Sequence, residues 1–588
     1  MKKLLIYLKD YKKESILGPL FKLLEASFEL MVPLIMATII DEGIGNGNKG
    51  YILKMGMLLI ALGVTGLISS LIAQYFAAKA AVGFSAKLRE ALFTHIQGLS
   101  YTELDKIGTS TMITRMTSDI NQVQSGVNLV LRLFLRSPFM VMGAIIMAFS
   151  INVKAALVFV IMIPLLSIVV FGIMFLSIPM YRKVQEKLDK VLGITRENLT
   201  GVRVIRAFSK EQEEFQSFEV KNHELTKLQN FVGRFSAAMN PVTYIIVNGG
   251  LICLLWTGAI QVDGGFITQG AVVALVSYMA QILIELIKLA NLIIAVTKAI
   301  ASGNRIESVF EIAPSMECNL EKDSLCIVGE VHEKDKKNNE DIIVSFENLG
   351  FTYGGASEEA LSNINLKIKK GQMIGIIGGT GSGKTTLVNM MPRFYNATKG
   401  KIEIDGVNVQ DYSVEVLREK IGVVPQKAVL FKGTIRENIR WGKESATEEE
   451  IWNALELSQA KEFVEEKVLK LDEMISQGGK NLSGGQRQRL TIARALVGSP
   501  EILILDDSSS ALDYATDLKL RQAIRTRKDS LTLFVVSQRA ASIQNADQIV
   551  VMDDGFVSGI GTHSELLESC TVYQEIYNSQ FRNGGISS

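Results

Sequence analysis

Six apolar runs, each on the order of 20 residues long, occupy the N-terminal half of the sequence near 16–40, 55–78, 129–150, 155–178, 242–263 and 271–293. Lipid offers a backbone no hydrogen bonds, so a run of that length closes its own bonds as an α-helix. This constraint predicts an α-helical polytopic membrane domain with six transmembrane helices over 1–313. The intervening segments alternate in character. Those at 41–50, 150–154 and 264–270 are short, whereas 79–115 and 182–234 are long, rich in Lys and Arg, and poor in Gly and Pro. Basic loops stay on the cytoplasmic side. Both termini are therefore expected in the cytosol, with the long loops forming helices that continue past the membrane surface. The N-terminal MKKLLIYLKDYKK carries no signal-peptide pattern. It places Leu4, Leu5 and Leu8 on one face among lysines, which fits either a helix lying on the cytoplasmic leaflet or a frayed end.

The remainder of the chain has a different texture. Its 588 residues exceed one comfortable core, and 48% hydrophobic content beside 21% charged residues fits a membrane half joined to a soluble half. The 62 basic and 61 acidic residues nearly cancel, which argues against nucleic acid as a partner. Cys253, Cys318, Cys326 and Cys570 show neither metal-ligand nor CxxC spacing, as a reduced cytosolic environment allows. Residues 314–341 lose periodicity and gain charge, which predicts a linker. From 342 to 588, short β-rich runs alternate with helical patterns, the signal of an α/β nucleotide-binding domain.

Motifs define that domain. The apolar run 373–377 leads into Gly378, Gly379, Thr380, Gly381, Ser382, Gly383, Lys384 and Thr385, and a helix continues from Thr386. Glycines let backbone N–H groups curl around phosphate oxygens, Lys384 supplies a point charge to the β- and γ-phosphates, and the Thr385 hydroxyl suits Mg²⁺. The expected cofactors are ATP and Mg²⁺. At 482–486 stands LSGGQ, in which Ser483, Gly484 and Gly485 open a helix near Gln486, a second anion site. The buried strand ILILD ends at Asp506, which would reach Mg²⁺ through water.

Together these motifs resemble the ATPase domain of ABC transporters, over 341–581, and imply an α/β P-loop NTPase domain of ABC type. The resemblance implies that Tyr353 stacks on adenine. It implies that Gln426 touches Mg²⁺ or the attacking water, that LSGGQ faces ATP held by a second subunit, and that Asp513 belongs to a loop crossing the dimer interface. Six spans fused ahead of the ATPase resemble exporters. No internal repeat is present, so the chain reads as a half-transporter that needs a second ABC half-transporter subunit.

Two positions depart from the family pattern. Asp507 stands where a catalytic glutamate is expected, and Gln538 where a switch histidine is expected. Aspartate is one methylene shorter, and a displacement on the order of 1 Å can cost about a hundredfold in rate. Glutamine can hydrogen-bond a phosphate oxygen but cannot carry a positive charge. A homodimer would own two weakened sites. A heterodimer is favoured, in which this chain's LSGGQ completes a competent site on its partner while the Asp507/Gln538 site turns over slowly.

In the membrane half, 114–122 and 201–215 resemble the family's coupling elements, or are solvated amphipathic helices. Lys22, Glu25 and Glu29 share one helix face, as do Gln281, Glu285 and Lys288. Charges at that depth face the bundle interior, for cargo contact or ion pairing. Arg132 and Arg136 are expected to snorkel at the cytoplasmic mouth. Small amphipathic or drug-like cargo is the leading expectation, with lipid or peptide export as the runner-up. No protease-like segment precedes the first span, which disfavours peptide processing. A soluble ABC ATPase acting on nucleic acid conflicts with the six spans. An ATP-gated regulatory subunit stays open because of the weak catalytic pair.

Overall fold

The computed structural model describes residues 1, 3–315, 341–354, 356–508, 512–527 and 531–581. Most of the expected linker, Cys318, Cys326 and residues 509–511 lie outside the described residues. The chain divides into two compact units, Met1–Gln97 with Ser110–Ile312 and Gly98–Thr109 with Ala313–Ser588.

The first unit is helical. Six stretches, Lys3–Ile44, Lys49–Gln97, Thr109–Ile151, Val153–Thr200, Glu211–Asp263 and Gln269–Phe310, are long and apolar enough to cross a membrane, and each contains one of the expected runs. The helix Lys49–Gln97 has 49 residues, roughly 70 Å at the helical rise. That is over twice the hydrocarbon thickness, so it continues well beyond lipid. Its Leu53, Met57, Ile60, Val64, Leu67 and Leu71 recur at helical spacing and are exposed, a face suited to lipid rather than water. Inward positions are small: Ala26, Ala77, Ala144, Ala148 and Ala274 are fully buried. A Cβ on Gly126 would collide with the Ala299 side chain, so these helices meet almost backbone to backbone. Buried Tyr278 donates its hydroxyl to the Leu30 carbonyl at 2.7 Å, so its polar end is not orphaned.

The second unit holds twelve strands among the described residues: β1 (Ile342–Phe351), β2 (Leu361–Lys369), β3 (Met373–Gly378), β4 (Lys399–Ile404), β5 (Val407–Asn408), β6 (Ile421–Val424), β7 (Gly433–Thr434), β8 (Met474–Ile475), β9 (Ile502–Asp506), β10 (Thr532–Val536), β11 (Gln548–Asp553) and β12 (Phe556–Gly561). An antiparallel sheet runs β2-β1-β4-β5, and a six-stranded sheet runs β12-β11-β3-β10-β9-β6. In the larger sheet β3, β9 and β10 are buried along their whole length and apolar apart from Asp506 and Thr532 at their ends, as parallel strands covered on both faces must be. β2 instead alternates buried and exposed residues, the mark of a sheet with one face on the core.

Candidate nucleotide site

Four neighbouring parallel strands, β3, β10, β9 and β6, fix the geometry of the site. Val536 pairs with Ile376 on one side and Asp506 on the other, and Val424 pairs with Leu505. Their carboxyl ends therefore deliver Gly378, Ser537, Asp506 and the Pro425–Gln426 turn to one edge of the sheet. Ligands of open α/β sheets bind outside that edge. Residues far apart in sequence are gathered here by register alone.

The phosphate loop leaves β3 and turns on Gly381 and Gly383, whose φ angles of +85° and +92° disfavour any residue with a Cβ. Lys384 opens the helix Lys384–Met390. Its ammonium donates to the carbonyl oxygens of Gly378 (3.1 Å) and Gly379 (2.5 Å) and to Ser382 Oγ (3.2 Å), which holds the loop around a positive centre. The adjacent Thr385 hydroxyl donates to Asp506 Oδ1 at 3.0 Å. Burial pushes the Asp506 carboxyl above its ordinary value; the Thr385 hydrogen bond opposes this, Asp507 adds to it, and Lys384 opposes it. Burial likewise lowers Lys384, against the pull of Asp506 and Asp507. Burial thus works against both charged forms, and the opposite charges beside each other work to keep them.

Asp507 follows at φ +45°, a left-handed conformation in which aspartate is among the better tolerated residues. Its N–H donates to the Val536 carbonyl at 2.9 Å, and Gln426 Nε2 approaches its Oδ2 at 3.4 Å. Gln426 thus faces Asp507 rather than Asp506. Gln538 lies two residues past the end of β10 and is exposed.

Tyr353 packs edge-on against Phe351 and Tyr395, with centroids 4.8 and 5.4 Å away, and its hydroxyl lies 2.9 Å from Thr386 Oγ1. This ties the aromatic to the helix that carries the phosphate loop and leaves its ring partly exposed.

LSGGQ has a local structural logic. Ser483 caps the helix Gly484–Leu496, accepting the Gln486 N–H at 3.2 Å, while Gln486 Oε1 accepts the Ser483 N–H at 3.0 Å. Ser and Gln form a capping box, and Gly484 between them has room for a ligand to approach closely. Ser483 and Gly484 are exposed. Asp513 accepts the Thr516 N–H at 3.0 Å and caps the helix Tyr514–Arg525.

One element differs from the sequence expectation. Within the 114–122 segment, buried Asp119 binds Arg115 (2.8 Å) and Arg305, which anchors that segment inside the membrane unit. It is instead the short helix Tyr101–Ile107 that packs with the nucleotide-binding unit. Tyr101 lies edge-on to Phe394, and the Tyr395 hydroxyl donates to Asp105 at 2.7 Å. Burial and that hydrogen bond push the Tyr395 hydroxyl above its ordinary range. The second expected element contains the helix Val202–Ala207, in which Val204 is exposed, as is Phe208 just after it.

Arg136 does not snorkel. It is buried, and its guanidinium spans Glu285 Oε1 and Glu29 Oε2, each at 2.5 Å, from three different helices. Ser137 (2.9 Å) and Lys288 (2.8 Å) also reach Glu285. Lys22 pairs with Glu25 at 2.5 Å and donates to Ser70. An interior this apolar rewards pairing over hydration, so the charges expected to face cargo are joined to one another.

A phosphate loop, a Walker-type carboxylate and a capped LSGGQ helix on one α/β domain define an ATP-binding P-loop NTPase, here joined to a polytopic membrane domain. Residues 15–286 match the ABC transporter transmembrane region, and residues 361–510 match the ABC transporter ATPase family. The uncharacterized ABC transporter ATP-binding protein YfiB of Bacillus subtilis is 36% identical over the whole of both chains. An ATP-dependent lipid A-core flippase of Desulfotalea psychrophila is 34% identical over 84% of each chain. A bacterial Atm1-family ABC exporter solved with ATP bound shares the fold, with a TM-score of 0.77 at 21% identity over 98% of this chain and 99% of its own. The chain belongs to the ABC transporter family. It is a multi-pass membrane protein with exporter half-transporter architecture and a cytosolic, ATP-hydrolysing domain. Exporters of this class function as dimers.

Proposed function

We propose that this chain is the degenerate-site subunit of a heterodimeric exporter. The observation that carries the proposal is the joint presence of Asp507 and Gln538 beside an intact, exposed LSGGQ. Lys384 and the loop N–H groups bind the phosphates, and Tyr353 stacks on the base. Thr385 and Asp506 stand 3.0 Å apart and offer the hard oxygen donors that fit Mg²⁺. When bound, Mg²⁺ supplies charge neutralisation to the phosphates. Gln426 and Asp507 then have to orient the attacking water. Asp507 holds its carboxylate one methylene back, and Gln538 contributes no positive charge to the developing anion. This site retains nucleotide and turns it over slowly. Ser483 and the helix behind it complete the partner's site, where most hydrolysis occurs.

The test is ATPase activity of the full-length chain purified alone and with the half-transporter encoded beside it. The expected result is weak activity alone and strong activity together. Brisk turnover by the chain alone overturns the proposal.

The cargo proposed is a small amphipathic or drug-like compound taken from the cytoplasmic side. A lipid cargo is the second reading, supported by relatives named lipid A-core flippases. Transport into inverted vesicles separates the two. A dye concentrated inside the vesicles supports the first, and movement of a labelled lipid between leaflets without dye uptake supports the second.

A further inference from the structure

The C-terminal helix Thr571–Phe581 carries an apolar stripe of Tyr573, Ile576 and Tyr577 that packs on the core of the nucleotide-binding unit. The next position on that stripe, one turn on, is a glutamine. Gln580 Oε1 accepts the Ala540 N–H at 2.9 Å, and Gln580 Nε2 donates to the Gln538 carbonyl at 2.8 Å. One side-chain amide thus bridges a carbonyl and an N–H two residues apart and closes the backbone of the switch turn like a staple. The turn is fixed on its inner side as well: the Ser537 N–H donates to the Ile376 carbonyl within β3, and Ser537 Oγ accepts the Arg539 N–H. Gln538 therefore projects from a turn held from both sides, one of them supplied by the C-terminal helix. A long, exposed glutamine pays rotamer entropy to be held at both ends, and a surface position that only needed solubility would not require it.

We propose that Gln580 is a positioning residue for Gln538, setting the direction in which Gln538 meets the terminal phosphate and so making discrimination of ATP from ADP depend on the docked C-terminal helix. The aromatic run His563, Tyr573, Tyr577 and Phe581 secures that docking, with Tyr573 Oη 2.8 Å from His563 Nδ1. The inference rests on the reading of Gln538 as a phosphate contact and not on heterodimer formation.

The experiment is calorimetric titration of the full-length chain with Mg²⁺–AMP-PNP and Mg²⁺–ADP, comparing the parent with Gln580→Leu, Gln580→Glu, Gln538→Ala and the Gln580→Leu/Gln538→Ala pair. A hydrogen bond to a charged phosphate corresponds to about tenfold in affinity, so Gln538→Ala is expected to cut the triphosphate-over-diphosphate preference about tenfold. Gln580→Leu is expected to reduce the same preference by about threefold or more while ADP affinity holds. Gln580→Glu keeps the acceptor for Ala540 but sets a carboxylate oxygen against the Gln538 carbonyl, so its preference should fall at least as far as that of Gln580→Leu. The double variant should be no worse than Gln538→Ala, because Gln580 acts through it. Equal weakening of both nucleotides by Gln580→Leu, an additive double variant, or an unchanged preference overturns the role of Gln580. An unchanged preference in Gln538→Ala overturns the phosphate contact itself and the positioning role with it.

Discussion

Replacing Arg136 with methionine should destabilise the membrane unit by about 3 kcal/mol. Removing one partner of a buried ion pair costs about 3–5 kcal/mol, because the remaining charge is stranded away from water. Arg136 serves two carboxylates, and they do not carry the loss equally. The Glu29 side chain is 42% exposed, so the loss is less confined there. The Glu285 side chain is 3% exposed and is left enclosed. It keeps Lys288 at 2.8 Å and Ser137 at 2.9 Å, which places the expected loss at the low end of the range. Methionine fills much of the vacated volume, so the cavity contribution stays small. The assay is SDS-induced unfolding of the full-length chain in detergent. In the same assay Arg136→Met/Glu285→Gln should recover about 1–2 kcal/mol, since the second change removes the stranded charge. A parent-like midpoint for Arg136→Met, or additive losses in the double variant, refutes the ion-pair account. Loss of cargo-stimulated ATPase at unchanged stability would assign the arginine to cargo instead.

Other consequences are equally open to measurement. Tyr353→Ala should weaken ATP by the loss of base stacking, about 1–3 kcal/mol or about 5- to 150-fold, whereas Tyr353→Phe keeps the ring, loses only the Thr386 hydrogen bond, and stays close to the parent in nucleotide titrations. Equal loss in both variants contradicts a stacking role. Tyr395→Phe removes the hydrogen bond to the exposed Asp105, worth about 1 kcal/mol, so amide exchange in the helix Tyr101–Ile107 should accelerate about fivefold. Unchanged exchange there would mean that the aromatic contacts alone hold the helix.

The six spans were legible because lipid leaves the backbone a single way to satisfy itself, so length and apolarity suffice. The phosphate loop, Asp506 and LSGGQ were legible for a related reason. Their chemistry demands particular residues at fixed local spacing, as Gly381 and Gly383 at positive φ and the Ser483–Gln486 capping box illustrate. What escaped sequence reading depends on which distant elements meet. Arg136 reads as one more cation near a helix end until packing sets it between Glu29 and Glu285. Residues 101–107 and 114–122 are both short helical segments in one polar loop. Only the meeting of Tyr101 with Phe394 and Tyr395 separates them, and no local pattern encodes it. Gln580 left a partial signal, a polar residue on an apolar stripe, but its partners lie about forty residues upstream in the turn after β10.

The central claim is asymmetry between the chain's own site and the site it completes. The most direct measurement compares ATP hydrolysis by the assembled two-subunit transporter carrying either Ser483→Arg or Asp507→Asn in this chain. Arginine at Ser483 places a bulky cation on the exposed helix cap and should abolish turnover at the partner's site, whereas Asp507→Asn should leave most of the activity intact. Equal losses, or a larger loss from Asp507→Asn, would contradict the assignment.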